Sequence, residues 1–338
     1  MSNRADFLGF LYQGTMEFRN WCYDSGRLSI EKLDAPVVSI GNLTAGGTGK
    51  TPIVADLVSW TLSLKLPVGI ISRGYRGKFE GVQRVSSDPL ATPIWGDEPT
   101  MLARKFPDVP VYVHANRVLA GQALLADSSV KWILADDAFQ HRRLHRDLDI
   151  VVFDLSAPVK QLRSLPFGRA REPLKSLSRA NFIILNKENL ASKENREAWR
   201  WELREWMNPG SLIEVSCEIE GVFSLNSPSV GLADPEQVWL VSGIGHPQSY
   251  EFLMRSNGFR VMGHSVFPDH HDYNEKDEAR ILADMKAAKV DRLVATSKDM
   301  IKLRQFNRLR DVLFEARLTL AWGHGRENLD KEILRLVR

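Results

Sequence analysis

The sequence predicts an α/β protein, a mostly parallel sheet with helices on both faces, joined to a second, smaller α/β domain. Two observations carry this. Short β-branched runs alternate with amphipathic stretches, and one such run leads directly into a glycine-rich loop and then a helix. The length of 338 residues, 43% hydrophobic and 26% charged, leaves room for about two domains at roughly 100–200 residues each.

The runs Val37–Ile40, Val68–Ile71, Val111–Val113, Trp132–Leu134, Ile150–Phe153 and Phe182–Leu185 read as buried strands. Between the first two, Pro52 suits a first helical turn, and Ile53, Val54, Leu57, Val58 and Thr61 recur at helical spacing. Asn116–Ala126 reads as a helix burying Val118, Leu119, Ala123 and Leu125 or Ala126. Glu197–Met207 reads as a packing helix with Trp199, Leu203 and Trp206 on one face. From about Ser211 the texture changes to shorter strands and turns, including Ser224–Pro228, followed by a second strand-to-helix unit at Val238–Val241. These features divide the chain into a core over 1–212, a smaller α/β domain over 213–325 and a C-terminal helix over 326–338, which would pack back on the core.

Forty-five Lys plus Arg against 42 Asp plus Glu give a formal charge of +3, too even to expect nucleic acid as a partner. Nothing in the sequence calls for an obligatory protein partner. The two cysteines, Cys22 and Cys217, form no disulfide framework or zinc spacing, which suits a reducing compartment. No stretch approaches the ~20 apolar residues of a membrane span, and Phe7–Tyr12 is too short for a signal-peptide core. The expectation is a cytoplasmic chain.

The strongest chemical signal is Thr44-Ala45-Gly46-Gly47-Thr48-Gly49-Lys50-Thr51, set between the strand Val37–Ile40 and the helix near Pro52. Such a loop turns backbone N–H groups toward phosphate oxygens at a helix N-terminus. Lys50 would reach the β- and γ-phosphates of ATP, and Thr51 would offer its hydroxyl to Mg²⁺. The core is thereby read as a P-loop NTPase-type sheet. The strict motif has glycine where this chain has Thr44, and Gly46 and Gly47 retain the freedom to adopt positive φ. A nucleotide site also needs an acidic strand end, and Trp132-Ile133-Leu134-Ala135-Asp136-Asp137 supplies two adjacent carboxylates that would repel unless a cation lies near.

The phosphate loop does not name an acceptor. A guanine reader would carry N-K-x-D, but Asn186-Lys187-Glu188-Asn189 lacks the aspartate. Partitioning-type ATPases carry a signature lysine before the paired glycines, where this chain has Ala45. Other segments then matter as an ordered set: Gly41-Asn42-Leu43-Thr44, Ser72-Arg73-Gly74-Tyr75-Arg76-Gly77, Gly96-Asp97-Glu98-Pro99, Asp136-Asp137-Ala138-Phe139-Gln140-His141, Leu165 through Arg171-Glu172-Pro173, Ser242-Gly243-Ile244-Gly245-His246-Pro247, Phe267-Pro268-Asp269-His270-His271 and Thr296-Ser297-Lys298-Asp299. In this order and spacing the chain resembles the tetraacyldisaccharide 4'-kinase family from about residue 7 to the low 300s. The departures are Ala138 for the family's glycine, Ser297 within its T-E-K-D, and an additional arginine, Arg169, near the presumed acceptor site.

The resemblance implies an ATP-dependent lipid A pathway kinase that phosphorylates the 4'-hydroxyl of a membrane-borne tetraacylated glucosamine disaccharide 1-phosphate. It would sit at the inner face of the inner membrane of a Gram-negative-type bacterium. It implies that Thr44 to Thr51 bind the nucleotide, that Thr51, Asp136 and Asp137 hold Mg²⁺, and that Lys50 and Asp137 serve the transfer. It assigns Asp97 as the acceptor of the hydroxyl proton, with His270 oriented toward it from the second domain. A carboxylate so oriented is a physically reasonable base.

Asp97 has an alternative reading as a helix N-cap before Glu98-Pro99, which would not exclude catalysis. The cluster His264, Asp269, His270, His271 and Asp272 has an alternative reading as a metal site. Arg73, Tyr75, Arg171 and Glu172 are candidates for the acceptor's phosphate and hydroxyls, with loop packing an equal reading for Arg73 and Tyr75. At the N-terminus Phe7, Leu11, Phe18 and Cys22, with Leu8, Met16 and Trp21, recur at roughly helical spacing, and Arg4, Arg19 and Arg27 could meet anionic headgroups. That helix would lie on the membrane, pack on the core, or do both with different faces. The rival activities are a P-loop kinase of a soluble metabolite and a nucleotide-switched interaction protein.

Overall fold

The structure, a computed structural model, describes residues 2–88, 94–206, 210–227, 231–232 and 236–337, with residues 2–8 described as backbone only. The chain forms two compact units, one of 1–216 with 321–338 and one of 217–320.

In the first unit, helix α1 (Ser2–Asp24) precedes β1 (Val37–Gly41), α2 (Lys50–Ser63), β2 (Val68–Ser72), β3 (Gln83–Arg84), α3 (Asp97–Lys105) and β4 (Val111–Val113). Then come α4 (Arg117–Asp127), β5 (Trp132–Asp136), β6 (Leu148–Asp154), β7 (Phe182–Asn186), α5 (Lys193–Leu203) and the start of β8 (Leu212–Ser224). The strands lie in the order β8-β7-β6-β1-β5-β2-β4-β3, and every pair from β8 to β4 is parallel; only β3 runs against β4. All residues of β1, β2, β5, β6 and β7 are buried, as expected of strands covered on both faces. The expected strands are all present, and α2 buries the expected Ile53, Val54, Leu57, Val58 and Thr61.

Three local readings need correction. Helix α4, capped by Asn116 through the Val118 N–H, buries Arg117, Val118, Ala120, Gly121 and Leu124, with the expected Ala123 and Leu125 packed against the same core, but Leu119 lies on the solvent side of that face and is exposed. Helix α5 starts earlier than expected, capped by Ser192, and ends at Leu203, so Trp206 packs on the core from beyond the helix. Met207 lies outside the described residues. Finally, β8 is a single strand of 13 residues rather than several short ones. Its polar residues alternate with the buried Ile213, Val215 and Cys217.

The second unit continues through β9 (Gln237–Ser242), α6 (Pro247–Ser256), β10 (Arg260–Val266), α7 (Glu275–Ala288), β11 (Leu293–Thr296), α8 (Ser297–Leu303) and β12 (Leu313–Trp322). Its strands run parallel in the order β10-β9-β11-β12 around a core of Val241, Ile281, Leu293 and Leu313 on one face and Val238, Leu240, Met254 and Val294 on the other. The turn read over Ser224–Pro228 is described to Ser227; Pro228 lies outside the described residues.

Helix α9 (Arg326–Val337) belongs to the first unit. There Arg326 donates to Asp56 on α2 and to Asp330, both at 2.6 Å, and its guanidinium lies over the rings of Trp322 and Trp60. Helix α9 is thereby tied to the helix that follows the glycine-rich loop.

Candidate active site

The glycine-rich loop leaves the tip of β1 and enters α2 through Gly49, whose φ of 77° caps the helix in the left-handed region. A side chain there would also meet the Asn186 amide, 2.3 Å from the position a Cβ would take; that amide donates to the Thr48 carbonyl at 2.9 Å. Gly46 also has positive φ, 112°, and the loop's apex at Gly46 and Gly47 is exposed to solvent. Thr44 replaces a glycine at no conformational expense. It forms an antiparallel bridge with Ala170, with Ala45 N–H donating to Arg169 O at 2.6 Å and Arg171 N–H to Leu43 O at 2.8 Å.

This bridge sets Arg169 and Arg171 beside the loop. Arg169 Nη1 lies 3.0 Å from where a Cβ on Gly46 would stand, so the additional arginine borders the phosphate loop. Arg171 donates to both oxygens of Asp137, at 3.2 and 3.1 Å, and to Asn42 Oδ1. Asn42 in turn donates to the carbonyls of Thr44 and Gly46.

Strand β5 pairs with β1 so that Asp136 stands opposite Ile40, which brings the acidic strand end to the loop. Lys50 Nζ lies 3.2 Å from Asp137 Oδ1. Burial alone would raise the Asp137 carboxyl, but Lys50 and Arg171 outweigh it and hold the group far below the usual carboxylate range. Asp136 is bonded to neither Lys50 nor Arg171 and feels Arg117 only weakly. Burial pushes it up to about 7 against the pull of Lys50, with Asp137 and Glu98 adding to the rise. Ser72 donates to its Oδ2 at 3.4 Å, and its buried Oδ1 has no hydrogen-bond partner among the described residues. An orphaned carboxylate oxygen beside a phosphate loop, with Thr51 at the start of α2, fits a hard divalent cation that takes its remaining ligands from phosphates and water.

Asp97 is the first residue of α3 and is 9% exposed. The N-cap is Gly96, and no side chain caps the helix, so the capping role expected for Asp97 does not hold. Gly96 has φ of 94° and lies against the Tyr75 carbonyl, 2.5 Å from where a Cβ would be, which sets the Arg73–Tyr75 loop alongside Asp97. Arg73 and Tyr75 are themselves exposed, and within the loop the Arg76 guanidinium lies over the Tyr75 ring.

Glu172 requires correction as a substrate contact. It is 1% exposed, accepting from Asn20 of α1 and Arg179, both at 2.9 Å, so its carboxylate is engaged in docking α1. The structure adds residues to which the motif reading gave no role. Arg117 donates to the Asp137 carbonyl at 3.0 Å, and burial lowers its guanidinium to about 10, leaving it cationic at neutral pH. Gln140 donates to the Asn42 carbonyl at 2.8 Å. Asn42 and Gln140 stood inside quoted motifs; Arg117 had no comparable signal beyond its place after a capping asparagine.

In the second unit, His270 follows β10 with φ of 62° and its N–H donates to Gly243 O at 3.0 Å. The histidines there do not converge on a metal. His264 meets Ser242 and Glu251, His271 meets Asp277, and His270 meets Lys298, so the metal reading of that cluster is overturned. No group of three or more His, Cys, Asp or Glu that could hold a metal occurs among the described residues.

A parallel sheet of this order, with a glycine-rich loop between β1 and α2 and a buried aspartate at the tip of the adjoining strand, defines a P-loop nucleoside-triphosphate enzyme. Within that class the chain belongs to the LpxK family, tetraacyldisaccharide-1-P 4'-kinase, whose pattern matches residues 6–338. It is similar to the tetraacyldisaccharide 4'-kinase of Bdellovibrio bacteriovorus, 35% identical over 336 residues and 98% of each chain. It is likewise similar to that of Chlorobaculum parvum, 36% identical over 100% of this chain and 97% of the other. The crystal structure of LpxK from Aquifex aeolicus in complex with ATP superposes with a TM-score of 0.77 at 29% identity, covering 100% of this chain and 99% of that one. The resemblance drawn from the motifs therefore holds, and the chain is an ATP-dependent kinase of lipid A biosynthesis.

Proposed function

We propose that Thr44 to Thr51 cradle the phosphates of ATP, that Thr51 and Asp136 hold Mg²⁺, and that Asp97 accepts the proton of the 4'-hydroxyl of a tetraacylated disaccharide 1-phosphate. The observation that carries this is the juxtaposition of Lys50 with Asp137 beside the orphaned oxygen of Asp136, at the foot of an exposed phosphate loop.

Phosphoryl transfer needs positioning and charge neutralisation more than covalent help. Lys50 is held at the loop by Asp137, and nucleotide phosphates would draw its ammonium toward them, leaving Asp137 with Arg171. Bound Mg²⁺ would neutralise phosphate charge. Of the two aspartates, Asp136 is the one with an oxygen to give a cation; Asp137, expected to share in this, is proposed instead to set the position of Lys50 and Arg171. Asp97 at the start of α3 gains from the positive end of that helix. A carboxylate there can take the hydroxyl proton as the oxygen attacks. Arg73 and Tyr75, exposed on the neighbouring loop, are proposed for the acceptor's phosphate and hydroxyls. His270 is proposed to assist the proton transfer.

Work at the cytoplasmic face of the inner membrane is proposed from α1. Phe10, Leu11, Phe18 and Trp21 are exposed on this helix, while Tyr12, Arg19 and Asn20 bond to Arg171, Gln140 and Glu172 of the core. Arg19 is thus turned inward and does not serve the headgroup role expected of it; the side chains of Arg4, Phe7 and Leu8 lie outside the described residues. Among the described residues no helix is long and apolar enough to cross a membrane. An amphipathic helix lying in the interface suits a lipid acceptor, and a soluble metabolite gives these aromatics no role.

The test is incubation with Mg-ATP and the tetraacylated disaccharide 1-phosphate in mixed micelles, with mass analysis for one added phosphate. Absence of that product from folded protein that binds ATP would sink the reading.

A further inference from the structure

We infer that Lys298 is a positioning residue for His270, fixing the imidazole in the tautomer protonated at Nδ1, so that the ring acts as a hydrogen-bond donor through that atom. The functional part of this inference rests on the proposal that His270 assists proton transfer.

Lys298 Nζ lies 3.2 Å from His270 Nε2 and 3.0 Å from Asp269 Oδ1. An ammonium has only donors, so Nε2 must offer its lone pair, and a neutral ring that accepts at Nε2 carries its proton at Nδ1.

The same short helix fixes the backbone. Lys302, one turn after Lys298 on α8, donates to the carbonyls of His270 and His271, each at 3.1 Å, and pairs with Asp272. Helix α8 is itself anchored through Asp299, which is 2% exposed and accepts from the Gly243 N–H, the Tyr273 hydroxyl and the Thr296 hydroxyl. Gly243 O in turn accepts from the His270 N–H, so β9, β10 and α8 converge on one histidine. Two lysines four residues apart thus hold ring and main chain together. An Nδ1–H donor can orient a carboxylate but cannot take a proton at that atom.

The experiment is a multiple-bond ¹H–¹⁵N spectrum of the full chain labelled at histidine, with His270 assigned by its loss in H270Q. The expected result at neutral pH is protonated Nδ1 and unprotonated Nε2. In K298M the ring should shift toward the Nε2–H form, kcat should fall about tenfold, a fraction of what general acid–base catalysis supplies, and KM for ATP should hold within about twofold. K298R, which still donates, should restore tautomer and rate. An Nε2–H ring in the unmodified chain overturns the inference without any variant having to fold, and so does an Nδ1–H ring that persists in K298M. Full turnover in H270Q overturns the proposed role of His270 and with it the rate effect of Lys298, whereas the tautomer stands or falls on the spectrum alone.

Discussion

Asp136 and Asp137 share a peptide bond but not an environment, and their difference gives a pH dependence that can be measured. Asp136, raised to about 7, keeps its proton in the folded, ligand-free chain at pH values where the unfolded chain has lost it. Its contribution to stability therefore declines as pH rises from about 4 to about 7, while a site for a cation appears over the upper part of that window. Asp137 is lowered and behaves oppositely: its contribution is present above the ordinary carboxylate range and is lost only in strong acid. Asp136→Asn should raise the Tm of the ligand-free protein above about pH 7, flatten its pH slope and abolish turnover with Mg-ATP. An unchanged slope in a thermal scan across that range would place the titration elsewhere. Asp97→Ala should lower kcat by roughly 10²–10⁴-fold with the Kd for ATP held within about twofold. Equal loss of ATP binding in a direct titration would move Asp97 to the donor side.

At the scale of the element, α1 divides its work between two faces. The polar face is fixed by Tyr12, Arg19 and Asn20, and Arg142 donates to both the Asn20 carbonyl and Asp24. The other face presents Phe10, Leu11, Phe18 and Trp21 to solvent. Each large apolar side chain moved from water into an apolar medium is worth up to about 1.5–3 kcal/mol, so replacing Phe10, Phe18 and Trp21 together by serine should weaken vesicle sedimentation by at least about tenfold. Helical content and Tm should hold, because these side chains do not pack in the core. Asn20→Ala should do the reverse: it leaves Glu172 with one partner fewer in a buried site and should cost about 1–3 kcal/mol in urea unfolding, with vesicle binding of the folded fraction retained. The periodic apolar residues of this helix were legible in the sequence, but which face turned inward was not, because its partners lie more than 100 residues away.

Across the whole molecule, the chain leaves the first unit after Ser216 and rejoins it at Ala321. The last segment completes the first unit by placing Arg326 between Asp56 and Asp330 and against Trp60 and Trp322. Because α2 also carries Lys50 and Thr51, the far end of the sequence supports the helix behind the phosphate loop. A chain ending at residue 320 should lower the Tm of the first unit and lose ATP affinity even though no phosphate-loop residue is removed. Wild-type ATP binding by that truncated chain would show α9 to be dispensable. Arg326→Ala is the milder form, expected to cost about 1–3 kcal/mol, since the guanidinium is largely buried and its loss strands Asp56.

The sequence by itself determined the parallel sheet, the phosphate loop and the acidic strand end, because each is local: a run of β-branched residues, a glycine pattern, two carboxylates in succession. The ordered motifs were also sufficient to point to the family. Only the tertiary structure decided how the side chains within those motifs are used. It set Arg171 on Asp137, turned Glu172 and Arg19 toward the docking of α1, gave Arg117 and Asn42 their places around the loop, and brought Lys298 to His270. A charged side chain reaches several ångströms in any direction from its backbone. Its role is fixed by whichever opposite charge or carbonyl the fold brings within that reach, and composition and spacing cannot record that choice.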